Sequence, residues 1–210
     1  MNARLIFAVK AVLMITIVIF SYKIYRIIME PIEFAGLKDR RYEDTKVRLE
    51  QIRDAELAYK EEYGVFQGDL DQLIDFVANG RVSIVLRKDS SFQYYDRVYQ
   101  QEMNKDTVVL RKIGEAPVVQ KLQQKPELFG ADFTAEDLRF VPYSNKVSFA
   151  LAAGEVDRND VKVPVFEAKA DNKDIFQDVM ETYHSLILHL PTKYLAIGSL
   201  QEPTLSGNWK

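Results

Sequence analysis

The sequence has no cysteine among its 210 residues and only two histidines, His184 and His189. The missing thiols exclude disulfide bonds, Cys-ligated zinc, iron–sulfur clusters and thiol catalysis. The two histidines lie five residues apart, which does not bring both onto one face of a helix, and a zinc site needs three or four ligands. We therefore expect no metal site, no cofactor and no histidine-based catalytic residues.

Glycine is also scarce, with nine residues, and neither of the phosphate-binding loops GxGxxG and GxxxxGK[ST] occurs. The catalytic signatures GxSxG, HExxH and SxxK are absent as well. The carboxylates Asp69, Asp71 and Asp75 fall on the cap and the polar face of a predicted helix, where solvated side chains are usual. The sequence therefore predicts a protein that is not an enzyme.

Charge of one sign does not dominate, since 28 basic side chains stand against 31 acidic ones. The chain therefore has no overall positive field with which to hold nucleic acid, and we expect no nucleic-acid partner. Hydrophobic residues make up 47% of the chain, which is enough for a packed core and excludes a disordered protein.

A long apolar run extends from Leu5 to Met29, and residues 11–20 read AVLMITIVIF without a charge. Twenty-five helical residues rise about 37 Å, more than the roughly 30 Å of a hydrocarbon core. An aromatic and basic collar follows at the far interface, formed by Tyr22, Lys23, Tyr25 and Arg26. The run is longer than the apolar core of a signal peptide, and no small-residue cleavage site follows it. We therefore expect an uncleaved, single-pass anchor in a lipid bilayer.

The charges around this run leave its orientation open. More Lys and Arg residues lie on its C-terminal side than on its N-terminal side, which favours a cytoplasmic domain by the positive-inside rule. Acidic residues are interleaved with these cations, however, and long domains translocate largely regardless of local charge.

A charged helical stem is predicted over residues 30–63, with an interruption at Pro31, where proline should kink or break the helix. Within the stem, Arg53 and Lys60 lie at ion-pair spacing from Glu56. An apolar stripe at spacings of three and four contains Leu49, Ile52, Ala55, Tyr59 and Tyr63. Such a stripe packs either against the protein's own domain or against a partner helix in a coiled coil, and the sequence leaves both open. Leu49, Ile52, Tyr59 and Tyr63 are therefore candidate interaction residues.

A globular domain of α+β class is predicted for residues 64–200, with a small, mostly antiparallel sheet and packed helices. Short tails are expected at the two ends of the chain, at 1–4 and 201–210. A helix is expected to begin at Asp69 and to end at Asn79-Gly80. Strands are predicted at 82–86, 107–111, 138–143, 147–153 and 161–168. Further helices are predicted at 115–124 and 174–188. Ser144-Asn145 is the expected turn between the third and fourth strands, and Pro164 favours an edge position for the fifth.

The segment SSFQYYDRVYQQ, residues 90–101, has an aromatic group next to basic residues. Its aromatic residues are Phe92, Tyr94, Tyr95 and Tyr99. Aromatic rings with cations nearby can stack on sugars or bases. Tyrosines on strand-forming sequence are, however, more typical of a sheet face or a protein contact. The segment therefore predicts a protein contact, with a membrane-anchored ligand-binding module as the alternative.

The stretch IRDAELAYKEEYGVFQGDLDQLIDFV, residues 52–77, resembles the region after the long N-terminal helix of type IV pilin-like proteins and pseudopilins. In those proteins an amphipathic helix with Ala and Tyr ends at a glycine followed by an aromatic residue, and a short helix with paired leucines comes next. Gly64, Phe66, Leu70 and Leu73 occupy these positions here. The order of membrane helix, stem and small antiparallel sheet is shared too.

Residues 1–15, MNARLIFAVKAVLMI, contain neither the glycine of a prepilin peptidase site nor the acidic residue that follows it in pilins. An uncleaved anchor with a stem and a compact α+β domain also resembles the inner-membrane alignment subunits of the same machines. The resemblance implies a subunit in the bacterial inner membrane with its domain in the periplasm. It further implies partners among the other subunits of a secretion or pilus machine, or copies of the chain itself, contacted through the anchor and stem.

Overall fold

The computed structural model describes residues 3–96 and 100–209, and the fold is α+β. The helices are α1 Ala3–Tyr63, α2 Leu70–Asn79, α3 Val118–Leu122, α4 Asn172–Ile175 and α5 Met180–Leu188. The strands are β1 Arg81–Asp96, β2 Gln101–Pro117, β3 Ala150–Arg158, β4 Val161–Asp171 and β5 Tyr194–Gly198. Two short 3-10 helices span Ala135–Leu138 and Gln177–Val179.

The first helix, α1, is continuous over 61 residues and is about 90 Å long at 1.5 Å per residue. Of the kink or break expected at Pro31, the break does not occur, because the helix continues through this residue. Proline removes only one backbone hydrogen bond of the helix, the one to the carbonyl of Ile27. Phe34, one turn later, is already buried in the domain core and holds the following turns in place.

The C-terminal half of α1 is part of the core of the domain. Leu49, Ile52 and Ala55 have no exposed surface, and they belong to one apolar cluster with residues of the sheet and of the other helices. Each large side chain buried in this way contributes roughly 1.5–3 kcal/mol. Of the two arrangements that the apolar stripe left open, packing against the protein's own domain is the one observed.

The second helix begins and ends where the sequence predicts. The Asp69 side chain accepts hydrogen bonds from the backbone N–H groups of Asp71 and Gln72, which places it as the N-cap of α2. At the other end, the N–H of Gly80 donates to the carbonyl of Phe76. A Cβ at position 80 would lie 2.3 Å from that oxygen, so only glycine fits there.

The strands form two separate antiparallel sheets. β1 and β2 make a two-stranded hairpin, from the pair Arg81 and Pro117 to the pair Asp96 and Gln101, with an irregular register after Ile84. The strands predicted at 82–86 and 107–111 are thus present but are much longer than expected. The second sheet has the order β3-β4-β5. Its middle strand, β4, confirms the strand predicted at 161–168.

The strand predicted at 138–143 is wrong. Leu138 ends a 3-10 helix, and Phe140 makes only an isolated bridge to Ser148. The chain then turns at Tyr143, whose φ of 65° is incompatible with an extended strand. The strand expected at 147–153 consequently begins only at Ala150. The turn at Ser144-Asn145 is present, and the N–H of Val141 donates to the carbonyl of Val147 across it.

Pro164 lies on β4, the middle strand of its sheet, so the prediction that this is an edge strand is wrong. β5 pairs only with Glu167–Asp171 of β4, so at Pro164 the strand has a single neighbour, β3. The missing N–H of proline is tolerated there because no second ladder requires it.

Two predicted helices differ from the observed ones. The helix expected at 174–188 is divided into α4, a 3-10 helix and α5, and the backbone inside α5 is not helical at Tyr183. The helix expected at 115–124 is shortened to α3, because β2 continues to Pro117.

Candidate functional site

The apolar run of α1 lies outside the domain. Its most apolar window of 18 residues has a mean hydropathy of 1.8 and no buried residue, and the helix is long enough to cross a bilayer. Successive exposed side chains cover every side of the helix: Val12, Leu13, Met14, Ile15, Ile17, Val18, Ile19 and Phe20. A helix that is apolar all round requires an apolar environment. This part of the chain is compatible with a single-pass membrane anchor.

The domain runs back along α1 towards this apolar end. The ring of Phe166, on β4, lies 4.8 Å from that of Phe66, which follows the distal end of α1. Beyond the end of the same strand, Asn172 accepts a hydrogen bond of 3.0 Å from the hydroxyl of Tyr42. Further along, the ring of Phe176 lies 5.5 Å from that of Phe34. The α4 and α5 region therefore packs against α1 at Phe34, near the end of the apolar run.

Arg41 fastens this region to α1. Its guanidinium donates to the carbonyl of Ile175 at 2.8 Å and forms a bidentate pair with Asp178, at 2.8 Å for the Nη2–Oδ2 contact. The guanidinium also lies 4.5 Å from the centre of the Tyr143 ring. The hydrogen bond from Arg41 lowers the pKa of Asp178 below its ordinary value. These contacts fix α4 and α5 relative to the helix that leads into the apolar run.

Glu56 is a buried carboxyl group on α1, with 0% exposure. Its Oε2 accepts a hydrogen bond of 2.9 Å from the backbone N–H of Gln67, and its Oε1 has no hydrogen-bond partner among the described residues. Burial raises the pKa of Glu56 to about 8, and the bond from Gln67 opposes this shift only in part. At neutral pH the group is therefore mostly protonated.

The ion pairs that the sequence predicted for Glu56 are wrong. Arg53 lies instead beside Asp54, at 3.1 Å, and the ammonium of Lys60 lies over the Phe66 ring. Sequence reasoning missed the burial of both Arg41 and Glu56. Both residues continue the stripe of Leu49 and Ile52 at helical spacing, and this spacing indicates burial. Their charge, however, favours a solvent-exposed position.

The candidate residues of the stem occupy two different environments. Leu49 and Ile52 are inside the core, where no partner can reach them. Tyr59 is half-buried, with its ring 4.5 Å from that of Tyr63 and 5.0 Å from that of Phe76. Tyr63 is exposed at the distal end of α1. Only the tyrosine end of the stripe is therefore accessible to another protein.

The aromatic segment lies at the outer end of the β1–β2 hairpin. Tyr94 and Tyr95 are exposed on β1, and successive residues of a strand point to opposite faces. These two rings consequently do not form one stacking surface. The side chain of Phe92 and the whole of Tyr99 lie outside the part of the chain that the structure describes.

A groove of about 640 Å³ runs between α1 and the segment 130–143. Two pairs of its polar side chains are bonded to each other: Arg48 donates to Gln51 at 3.0 Å, and the hydroxyl of Tyr143 donates to Asp44. The acceptor Asp44 raises the pKa of that hydroxyl, so Tyr143 is not prepared to act as a base.

The remaining ionisable candidates have structural partners or are solvated. Asp71 pairs with Arg139, and Asp75 accepts a hydrogen bond of 2.8 Å from Asn79. His184 and His189 are both exposed. Over residues 3–96 and 100–209, no group of three or more His, Asp or Glu residues is arranged to hold a metal ion.

The geometry thus defines an α+β domain built around a helix whose other half is uncovered and apolar. Comparisons of the chain with protein family models, with curated proteins and with solved structures found no match. The chemistry and placement of its own residues are therefore the basis for assigning it a function.

Proposed function

We propose that this chain is a non-enzymatic, single-pass subunit of the bacterial inner membrane that acts through protein–protein contacts in the periplasm. One observation carries the proposal. The uncovered apolar half of α1 continues without interruption into a half that forms the core of the domain. Because one helix forms both the anchor and the core of the domain, the position of the anchor in the membrane also sets the position of the domain.

The rigidity of this connection supports an assembly role. A flexible linker would leave the domain free to move relative to the bilayer, as an enzyme acting on a diffusing substrate can tolerate. Here Phe34 is packed in the core only one turn after Pro31, and Arg41 ties the next turns to Ile175 and Asp178. The domain is therefore held at a fixed height, which suits contacts with other subunits in the same membrane.

The proposal that the chain belongs to a secretion or pilus machine rests on the resemblance of residues 52–77. In the structure α1 ends at Tyr63, directly before Gly64, and α2 follows from Leu70 to Asn79, an order compatible with that resemblance. The periplasmic location follows from the same resemblance.

In the groove between α1 and the segment 130–143, three polar side chains already have partners, which supports a non-enzymatic role. Arg48, Asp44 and Tyr143 are already engaged with neighbouring side chains. The separation of Tyr94 and Tyr95 onto opposite faces of β1 likewise favours a protein contact over ligand stacking.

Purification of the full-length chain from membranes in mild detergent tests this function. We expect it to bring down other inner-membrane subunits of one machine, or a second copy of itself. The double variant Tyr63→Ser/Val65→Ser removes exposed apolar side chains at the distal end of α1 and should lower recovery of the partner. A contact of about 2 kcal/mol corresponds to roughly 30-fold in Kd.

Val161→Ser is the matched control, since it removes an equally exposed apolar side chain from the β3–β4 turn and should leave recovery unchanged. Recovery of a monomer without partners from all three proteins would contradict the proposal. So would retention of a sugar or nucleotide that Tyr94→Ser releases.

A further inference from the structure

A groove of about 490 Å³ lies between the last turn of α1 and the helix α2. Three aromatic rings line it, those of Tyr59, Tyr63 and Phe76. The centre of the Tyr63 ring lies 4.5 Å from that of Tyr59 and 5.8 Å from that of Phe76. Phe76 is buried in the core, whereas Tyr63 is 57% exposed. The groove therefore presents aromatic surface to solvent, and the core holds that surface in place.

The charged side chains of this groove are carboxylates. Asp71 and Asp75 lie one turn apart on α2, and no Lys or Arg is among the described residues that line the groove. Asp71 is paired with Arg139. Asp75 accepts a hydrogen bond of 2.8 Å from the amide of Asn79 and has no cationic partner within residues 3–96 and 100–209. Like charges at this spacing destabilise a helix, so a cation beside Asp75 would be favourable.

Two cations on neighbouring parts of the chain are engaged elsewhere. The ammonium of Lys60, on α1, lies 4.5 Å from the centre of the Phe66 ring. Arg139 pairs with both Asp71 and Glu136. Neither of these cations lines the groove. The aromatic surface beside the second carboxylate is therefore open to a cation from another molecule.

The same chain shows how an arginine occupies a site of this chemistry. The guanidinium of Arg41 lies 4.5 Å from the centre of the Tyr143 ring and forms a bidentate pair with Asp178. Aromatic rings attract cations over their faces, and a carboxylate forms charge-assisted hydrogen bonds with a guanidinium. The groove at the distal end of α1 combines aromatic rings and a carboxylate in the same way, without the guanidinium.

We propose that this groove binds an arginine side chain of a partner protein, with the guanidinium against the Tyr63 ring and beside the carboxylate of Asp75. Arginine fits better than lysine, because its planar group can stack on a ring and also donate two parallel hydrogen bonds to a carboxylate. The inference rests on the proposed function and extends its contact at Tyr63 and Val65. It identifies the partner as a protein that presents a basic segment to the distal end of α1.

A pair of peptides tests this inference without any knowledge of the partner. The full chain in one mild non-ionic detergent is titrated with the fluorescently labelled peptide GRGRG, and then with the same peptide in which citrulline replaces both arginines. Citrulline has nearly the same size and shape but no charge. Fluorescence anisotropy measures the two affinities. We expect the arginine peptide to bind about fivefold to tenfold more tightly, with an advantage that decreases as salt is added.

Variants of the full chain locate this binding. Asp75→Asn and Tyr63→Leu should each weaken binding of the arginine peptide about threefold, and their combination about tenfold. Tyr63→Phe retains the ring and should bind the peptide more tightly than Tyr63→Leu, which retains only apolar surface. Asp160→Asn is the matched control, since it removes another exposed carboxylate, from the β3–β4 turn, and should leave the affinity unchanged. Equal midpoints of thermal unfolding show that all the variants are folded.

Equal binding of the arginine and citrulline peptides would overturn the inference. So would an affinity for the arginine peptide that the combined variant Tyr63→Leu/Asp75→Asn shares with the unchanged protein. Either result leaves the proposed function standing, because that function is tested by recovery of partners from membranes. Binding of arginine at this groove, together with no partner from membranes, would instead support the cation site and contradict the proposed function.

Discussion

Ile17→Asp is expected to release the protein from the membrane, whereas Val161→Asp should leave its membrane retention unchanged. The two side chains are almost equally exposed in the structure, at 58% and 60%, and under the proposal only the one at 17 is surrounded by lipid. A carboxylate at the centre of a membrane helix costs about 2.5–3.5 kcal/mol. That cost corresponds to a shift of roughly 100-fold or more in the insertion equilibrium. The measurement is the fraction of protein that resists extraction with alkaline carbonate.

Thermal unfolding of both variants serves as the control. Neither substitution touches the core, which begins on α1 at Phe34, so the unfolding midpoint of the domain should be unchanged in both. Equal retention of the two variants in the membrane would show that the apolar half of α1 is not held by lipid.

Protein stability is expected to fall as the pH rises from about 4.5 to about 8, because of Glu56. The pKa of its folded form is about 8, against 4.5 for the unaffected group. Below pH 4.5 the carboxyl is protonated in both folded and unfolded chains. Between the two values only the unfolded chain releases the proton, which favours unfolding by about 1.4 kcal/mol for each pH unit. The full loss is on the order of 5 kcal/mol, or about 10–20 °C in Tm.

Glu56→Gln should abolish most of this pH dependence. The amide oxygen can still accept the hydrogen bond from Gln67, and no proton is released on unfolding. Glu61→Gln, an exposed change on the same helix, is the control and should preserve the slope. Thermal unfolding of the full chain in one detergent at pH 5, 6.5 and 8 measures all three proteins. An unaltered slope in Glu56→Gln would show that another group is responsible.

The sequence predicts those helices and strands that depend on interactions between residues close together in the chain. Asp69 caps α2 because its oxygen is two and three residues from the N–H groups it accepts from, and Gly80 ends the helix because no side chain fits beside Phe76. Alternation of β-branched and polar residues likewise predicts β4. The anchor is predicted from length and hydropathy alone.

Features fixed by tertiary contacts are not predictable in this way. Their charge predicts that the side chains of Arg41 and Glu56 are exposed to solvent. Both are buried, however, with Arg41 paired to Asp178 and Glu56 accepting a hydrogen bond from the backbone of Gln67. Pro31 predicts a kink or a break, and the helix continues through it.

A single crossing by α1, with the domain from Phe34 onward in the periplasm, underlies the proposed function. The most direct measurement is the labelling of Val161→Cys and Ile17→Cys by a membrane-impermeant maleimide, first in intact spheroplasts and then after lysis. We predict that the thiol at 161 is labelled in intact spheroplasts and that the thiol at 17 is shielded by lipid in both preparations. Labelling at 161 only after lysis would place the domain in the cytoplasm, and ready labelling at 17 would contradict the membrane anchor.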